Sequence, residues 1–179
     1  MKRYNFNKDN ELNLLASNND LRPCLTCIYF DNFDAIVSDA YCIFKIPVNR
    51  ISNLSGDDTY KLNGKLLKAN DYKRILKFDV INIGDDGITA HKGELTEFFK
   101  FQDFTYIDYE KILSGMRKSE PAITDNITFN VERLFNMFRA YGNKQAIPTL
   151  QYKGEGNAIE VVFDDNDNDI EAFIMPCNR

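Results

Sequence analysis

The sequence is poor in the features that mark membrane proteins, metalloproteins and most enzymes. No apolar run approaches the ~20 residues that a membrane-spanning helix needs, and Met1–Asn7 has no apolar h-region. A cytoplasmic protein is therefore expected, with no membrane partner and its four cysteines as thiols. His91 is the single histidine and has no visible Ser or Cys partner, so no nucleophile–base pair can be assembled. A Gly-rich phosphate loop and a metal-spaced carboxylate cluster are both missing. No catalytic residue, cofactor or metal is expected, and the chain does not read as an enzyme.

Two short motifs fall to the same scrutiny. Cys24-Leu25-Thr26-Cys27 is a Cys-x-x-Cys, but there is no second pair, and residues three apart on a strand point to opposite faces. Buried thiols are the expectation. Asp165-Asn166-Asp167-Asn168-Asp169 has the alternation of a calcium loop. However, its sixth position is Ile170 and its twelfth Pro176, where such loops need Gly and Glu, so it reads as a solvated hairpin tip.

What is present is a foldable chain. An apolar fraction of 44% and an aromatic fraction of 13% over 179 residues argue for a globular protein with a real core. Net charge is 22 − 27 = −5, so any nucleic-acid contact must come from a local basic patch on an acidic body.

Strands outnumber helices. Residues 24–31 and 34–47 read as a hairpin turning at Asp31-Asn32-Phe33-Asp34, and 49–59 as a polar loop. A unit then appears twice. Its first copy has a strand at 60–67, a helix near 69–78, and strands near 80–84, 87–92 and 95–102, with turns at Gly84–Gly87 and Lys92–Glu94. After a linker at 114–122 the order recurs. A strand at 123–129 leads to a helix at 130–141 ended by Gly142, then strands at 146–153, 157–163 and 170–176.

In the second helix Val131, Leu134, Phe135 and Phe138 form one apolar stripe, capped by Asn130. In the first, Tyr72, Ile75 and Leu76 point inward and throw Lys73, Arg74 and Lys77 outward. With Lys65, Lys68 and Asp71 this segment carries 5 − 1 = +4. Acidic residues gather on the last hairpin. The stretch Ile170–Arg179 is an apolar strand closing on Met175-Pro176, where termini are normally polar and frayed, so it is expected to be docked.

Four segments, in order, resemble the bacterial DNA sliding clamp, the beta subunit of the replicative polymerase. Leu21–Phe30 followed by Ile36-Val37-Ser38-Asp39-Ala40-Tyr41 is similar to the family's "R-x-x-L-x-G" and "A-T-D-G-H-R-L" strands. Ile81-Asn82-Ile83-Gly84 through Ile88-Thr89-Ala90-His91 resembles its "I-G … I-x-A-H" hairpin. Tyr106-Ile107-Asp108-Tyr109 through Leu113 resembles its "F-P-D-Y-x-x-V-L" domain crossing, and Ala172–Cys177 its terminal "Y-V-V-M-P-M". Ala40-Tyr41-Cys42 stands where the family has Gly-His-Arg, and Ile107 where it has Pro.

The resemblance implies an α+β DNA-clamp fold of repeated β-α-β-β-β units, with two main helices packed on antiparallel sheets. Residues 1–115 would match the middle clamp domain, with Asp9–Ser17 as a stunted helix, and 116–179 half of the last one; the two would pack as one compact domain or as two. It implies a processivity or DNA-replication accessory protein, of the sort a phage or mobile element carries. Weak, sequence-blind contact with double-stranded DNA would come from Lys68, Lys73, Arg74, Lys77, Arg133, Arg139 and Lys144. Peptide motifs of a DNA polymerase or repair protein would enter a pocket of Ser38, Tyr41, Ile43, Ile107, Lys111, Ile112, Phe173, Met175, Pro176 and Cys177. Two versions stay open at this point: a homo-oligomer that encircles DNA, and a monomeric clamp-derived adaptor that keeps the pocket alone.

Overall fold

Strand alternation puts apolar residues on both faces of the central strands, so this sheet must be covered on both sides. The computed structural model describes residues 3–19, 21–122, 126–143, 145–154, 157–163 and 169–177. The chain opens with Phe6, bridged to Ser52, and a 3-10 turn at Leu12–Leu15. A second 3-10 turn, Pro23–Thr26, leads into β1 (Cys27–Asp31), β2 (Asp34–Ser38) and β3 (Cys42–Pro47). Two short helices follow, α1 (Val48–Ile51) and α2 (Gly56–Leu62). Next come β4 (Lys65–Lys68), α3 (Ala69–Ile75), β5 (Val80–Ile83), β6 (Gly87–Lys92) and β7 (Leu95–Lys100). The chain continues through α4 (Tyr109–Arg117), α5 (Val131–Tyr141), β8 (Thr149–Tyr152), β9 (Ile159–Val162) and β10 (Glu171–Ile174).

Among the described residues, ten strands make two antiparallel sheets. The larger runs β4-β1-β2-β3-β10-β9-β8, and the smaller β5-β6-β7. The last strand therefore returns to the middle of the molecule, pairing Phe173 with Ile43 and Ile174 with Cys42. The docked C-terminal strand expected from the sequence is this one. An isolated bridge between Leu66 and Gln102 ties the sheets together, and the Ile81 amide bonds the Tyr4 carbonyl of the N-terminal segment.

One face of the larger sheet is covered by a row of helical segments. Leu12 and Leu15, Tyr72 and Ile75 of α3, and Met137 and Ala140 of α5 close over Ile28, Phe30, Val37, Phe44, Ala172 and Ile174. Buried Asn10 locks the row. Its Nδ2 donates to the Ala140 and Tyr141 carbonyls at 2.9 Å each, and its own carbonyl accepts from Tyr72 Oη at 3.0 Å. Gly142 ends α5 at φ 81°, and a Cβ there would lie 2.6 Å from Asn10 Nδ2, so conformation and space both require glycine.

The opposite face carries a smaller cluster: Ile36, Ile43, Ala158 and Phe173 under Tyr109 and Leu113 of α4. Ionic contacts hold that helix down. Arg117 reaches Glu171 with Nε and Nη2, both at 2.6 Å, and Lys45 lies 3.1 Å from Glu171 and 3.2 Å from Asp34.

The structure corrects several expectations. The stretch 56–62 is helical, because Ser55 accepts the Asp58 amide and donates to its carboxylate at 2.7 Å, a capping pair inside a segment polar enough to read as loop. Residues 34–47 are two strands, broken at 39–41 where Ala40 takes φ 76°. Cys24 lies in a 3-10 turn begun by Pro23, not on a strand. Residues 109–117 form a helix that takes the start of the expected linker. Residues 126–129 are not a strand; 123–125 and the Asp-rich 164–168 lie outside the described residues.

The stripe assigned to α5 is also only half right. Val131 and Phe135 are 67% and 60% exposed, while Met137 and Ala140 face the core beside half-buried Leu134 and Phe138. For α3 the inward trio Tyr72, Ile75 and Leu76 is buried as expected.

Candidate functional site: an apolar recess on the outer face

On the α4 side of the sheet the covering helix stops short of the β2–β3 turn and the end of β10. The gap is a recess of about 350 Å³, lined by Arg22, Leu25, Ser38, Ala40, Tyr41, Cys42, Ile43, Ile107, Ile112, Met116, Phe173 and Met175. Seven of the ten pocket residues expected from the sequence converge here: Ser38, Tyr41, Ile43, Ile107, Ile112, Phe173 and Met175. Lys111 precedes Ile112 on the exposed side of α4. Pro176 and Cys177 lie beyond the rim, where the Cys177 amide bonds the Thr128 carbonyl at 2.7 Å.

Each wall has a local cause. Ile43 and Phe173 are directly paired and face the same side of the sheet, forming the floor. Asp108 caps α4 by accepting the Lys111 amide at 3.1 Å, and buried Tyr109 donates to Asp31 Oδ2 at 2.8 Å. That anchoring presents Ile112 and Met116, one helical turn apart, to the opening. Met175 is held by its amide bonding the Tyr41 carbonyl at 2.8 Å.

The rim is the turn 39–41. Asp39 Oδ1 accepts the Tyr41 and Cys42 amides at 2.8 Å, and Ser38 Oγ accepts the Ala40 amide at 3.1 Å while donating to the Cys42 carbonyl at 2.7 Å. Ala40 occupies the left-handed region at this turn, a conformation that favours glycine. Asp39 Oδ2 binds Arg133 Nε at 2.8 Å, and that guanidinium lies 4.8 Å from the Tyr41 ring centre. Burial pushes the Cys42 thiol well above its ordinary value, so it is a neutral wall group. The recess is thus rigid at its rim, greasy inside, and holds no acid–base pair.

The basic set behaves differently. Lys68, Lys73 and Lys77 are exposed on or beside α3. Arg74 pairs with Asp71 and Glu97, Arg139 with Glu11, and Arg133 with Asp39 at the recess rim. Lys144 lies outside the described residues. All three arginines of the set are thus already engaged by carboxylates, and the six described residues do not form one free patch.

Sequence reasoning missed Arg22, Leu25, Ala40, Cys42 and Met116 as lining residues. Met116 was findable from its i, i+4 spacing to Ile112. Leu25 was findable from Pro23, which starts a helical turn more readily than it sits in a strand.

No family model and no curated protein matches this sequence. Solved structures do match. The sliding clamp (DNA polymerase III subunit beta) of Bartonella birtlesii, bound to griselimycin, superposes on 98% of this chain and 65% of its own, with 12% identity and a TM-score of 0.63. The chain has the sliding-clamp fold. DNA polymerase III subunit beta from Borrelia burgdorferi, in complex with a natural product, gives a TM-score of 0.63 at 9% identity over 99% of this chain and 64% of that one. The Bacillus subtilis sliding clamp gives 0.62 at 12% identity, over 99% and 64%. The match therefore covers less than two-thirds of the length of these clamps, and at such identities the likeness speaks for the fold alone. No helix among the described residues is long and apolar enough to cross a membrane.

Proposed function

We propose that this protein is a non-enzymatic, clamp-like replication accessory factor that captures a short apolar peptide segment of a DNA polymerase or repair protein. The observation that carries this reading is the outer-face recess, where seven residues named from sequence line one open apolar volume of about 350 Å³. A thioether at each side, Met116 and Met175, suits insertion of a Leu or Phe side chain, since methionine adapts to the shape it meets. Exposed Arg22 at the mouth offers a donor to the peptide backbone or to an acidic neighbour of the anchor residue.

DNA contact is the second reading. Exposed Lys68, Lys73 and Lys77 support it, and the carboxylate partners of Arg74, Arg133 and Arg139 weaken it. A single copy would hold DNA feebly and lose it steeply with salt.

The test is a titration of a fluorescently labelled pentapeptide carrying adjacent Leu and Phe, followed by anisotropy. Saturable binding is expected, weakened at least tenfold by Met175→Ala and by Ile112→Ala with the fold intact by circular dichroism. An unsaturable response, or full affinity in both variants, contradicts the reading.

A further inference from the structure

The Cys-x-x-Cys motif acquires a meaning that its sequence context hid. Cys24 lies in the 3-10 turn Pro23–Thr26, and the Cys27 amide closes that turn by donating to the Cys24 carbonyl. An i to i+3 bond of this kind brings the two Cα atoms within about 7 Å. A disulfide spans Cα separations of roughly 4.4–6.8 Å, so the backbone places this pair in bridging range. Cys27 Sγ folds back over the turn, 3.7 Å from the Pro23 carbonyl. Both thiols are free; Cys24 is half-buried and reachable, and Cys27 is fully buried behind it.

The same turn also carries Arg22 and Leu25, two lining residues of the apolar recess.

We propose that Cys24 and Cys27 are a reversible dithiol–disulfide pair whose state reshapes the recess through Arg22 and Leu25. With oxidised glutathione as the oxidant class, the half-buried Cys24 attacks, as its thiolate, one sulfur of the glutathione disulfide. A mixed disulfide forms and one glutathione thiolate leaves, taking up a proton. Cys27 then attacks Cys24 Sγ as its proton leaves, and the second glutathione departs as a thiolate that takes a proton up. Two protein thiols become one disulfide, and one oxidised glutathione becomes two reduced ones.

The test equilibrates the full chain with reduced and oxidised glutathione, quenches in acid, alkylates, and maps thiols by mass spectrometry. A Cys24–Cys27 disulfide is expected in the oxidised buffer, reversible with reductant and absent in Cys24→Ser, whose half-exposed site tolerates the change. The methyl signals of Met116 and Met175 are expected to shift between the two redox states of the wild type. Four alkylated thiols, a persistent glutathione adduct on Cys24, or a disulfide through Cys177 would overturn the proposal, as would a Cys24–Cys27 disulfide that leaves both methyls unmoved. Because the methyls are read without peptide, this outcome is separable from failure of the peptide-capture reading on which the recess's importance rests.

Discussion

The two faces of the seven-stranded sheet are built from the same alternating strands yet end in opposite conditions. On the helical face, buried Leu12, Tyr72, Met137 and Ala140 seal the sheet, and the outward arginines are mostly spent on carboxylates of the same chain. On the outer face, α4 covers only part of the floor and leaves Ile43, Phe173 and Met175 at the base of an open recess. The difference teaches where binding capacity remains. A surface whose charges are already paired inside the molecule has less to offer a polyanion, whereas an apolar recess with a pinned rim gains by being filled.

The comparison can be broken first at the floor of the recess. Phe173→Ala removes a ring that is 1% exposed, and it should cost about 3–5 kcal/mol in a urea titration. A cost under about 1 kcal/mol would mean the outer-face cluster is a veneer rather than a second core.

Next comes the clamp on α4. Glu171→Ala leaves Lys45 and Arg117 without their shared carboxylate and should cost roughly 2–3 kcal/mol. Burial pushes the Glu171 carboxyl up, but hydrogen bonds from Arg117 and Lys45 outweigh it and hold the group below the ordinary carboxylate range. Its contribution is therefore fully present above roughly pH 4.3, the unfolded-state value, and is lost as pH falls through the depressed native value. Asp34 runs the other way, since burial raises it despite Lys45. It takes its proton first on acidification, which relieves a cost rather than adding one. Thermal melts should show wild-type stability falling below about pH 4, and a shallower fall in Glu171→Gln.

On the helical face, Asn10→Ala strands the Ala140 and Tyr141 carbonyls and should cost roughly 1–3 kcal/mol, seen as a lower urea midpoint and faster amide exchange at the end of α5. The smallest effect has the opposite sign. Asn32 and Phe33 both take positive φ at the β1–β2 turn, 47° and 69°, and Phe33 is 55% exposed. Glycine suits the second position of such a turn, so Phe33→Gly should stabilise by about 1 kcal/mol. A destabilised variant would show that the ring has packing worth more than its backbone strain.

Much of the scaffold was legible because its signals were local. The Gly84–Gly87 and Lys92–Glu94 turns, the Asn130 cap, the Gly142 stop and the inward trio of α3 all follow from chemistry within a few residues. The outer recess was legible only through resemblance, since Ser38, Ile112 and Phe173 are brought together by β10 returning to β3 across some 130 residues. Apolar periodicity misled on α5, where Val131 and Phe135 look like core but point away from it. Charge counting misled on the basic set for a related reason. Glu11, Asp39 and Glu97 are remote in sequence, and tertiary structure sets them beside the arginines they neutralise.

The most direct measurement is a methyl NMR titration of isoleucine- and methionine-labelled protein with the Leu–Phe pentapeptide. The two faces carry separate reporters: Ile43, Ile107, Ile112, Met116 and Met175 outside, and Ile28, Ile75 and Met137 beneath the helices. Saturable shifts confined to the outer set are predicted, with Met116 and Met175 moving most. Shifts confined to the helical set, or no shift at millimolar peptide, would contradict the account.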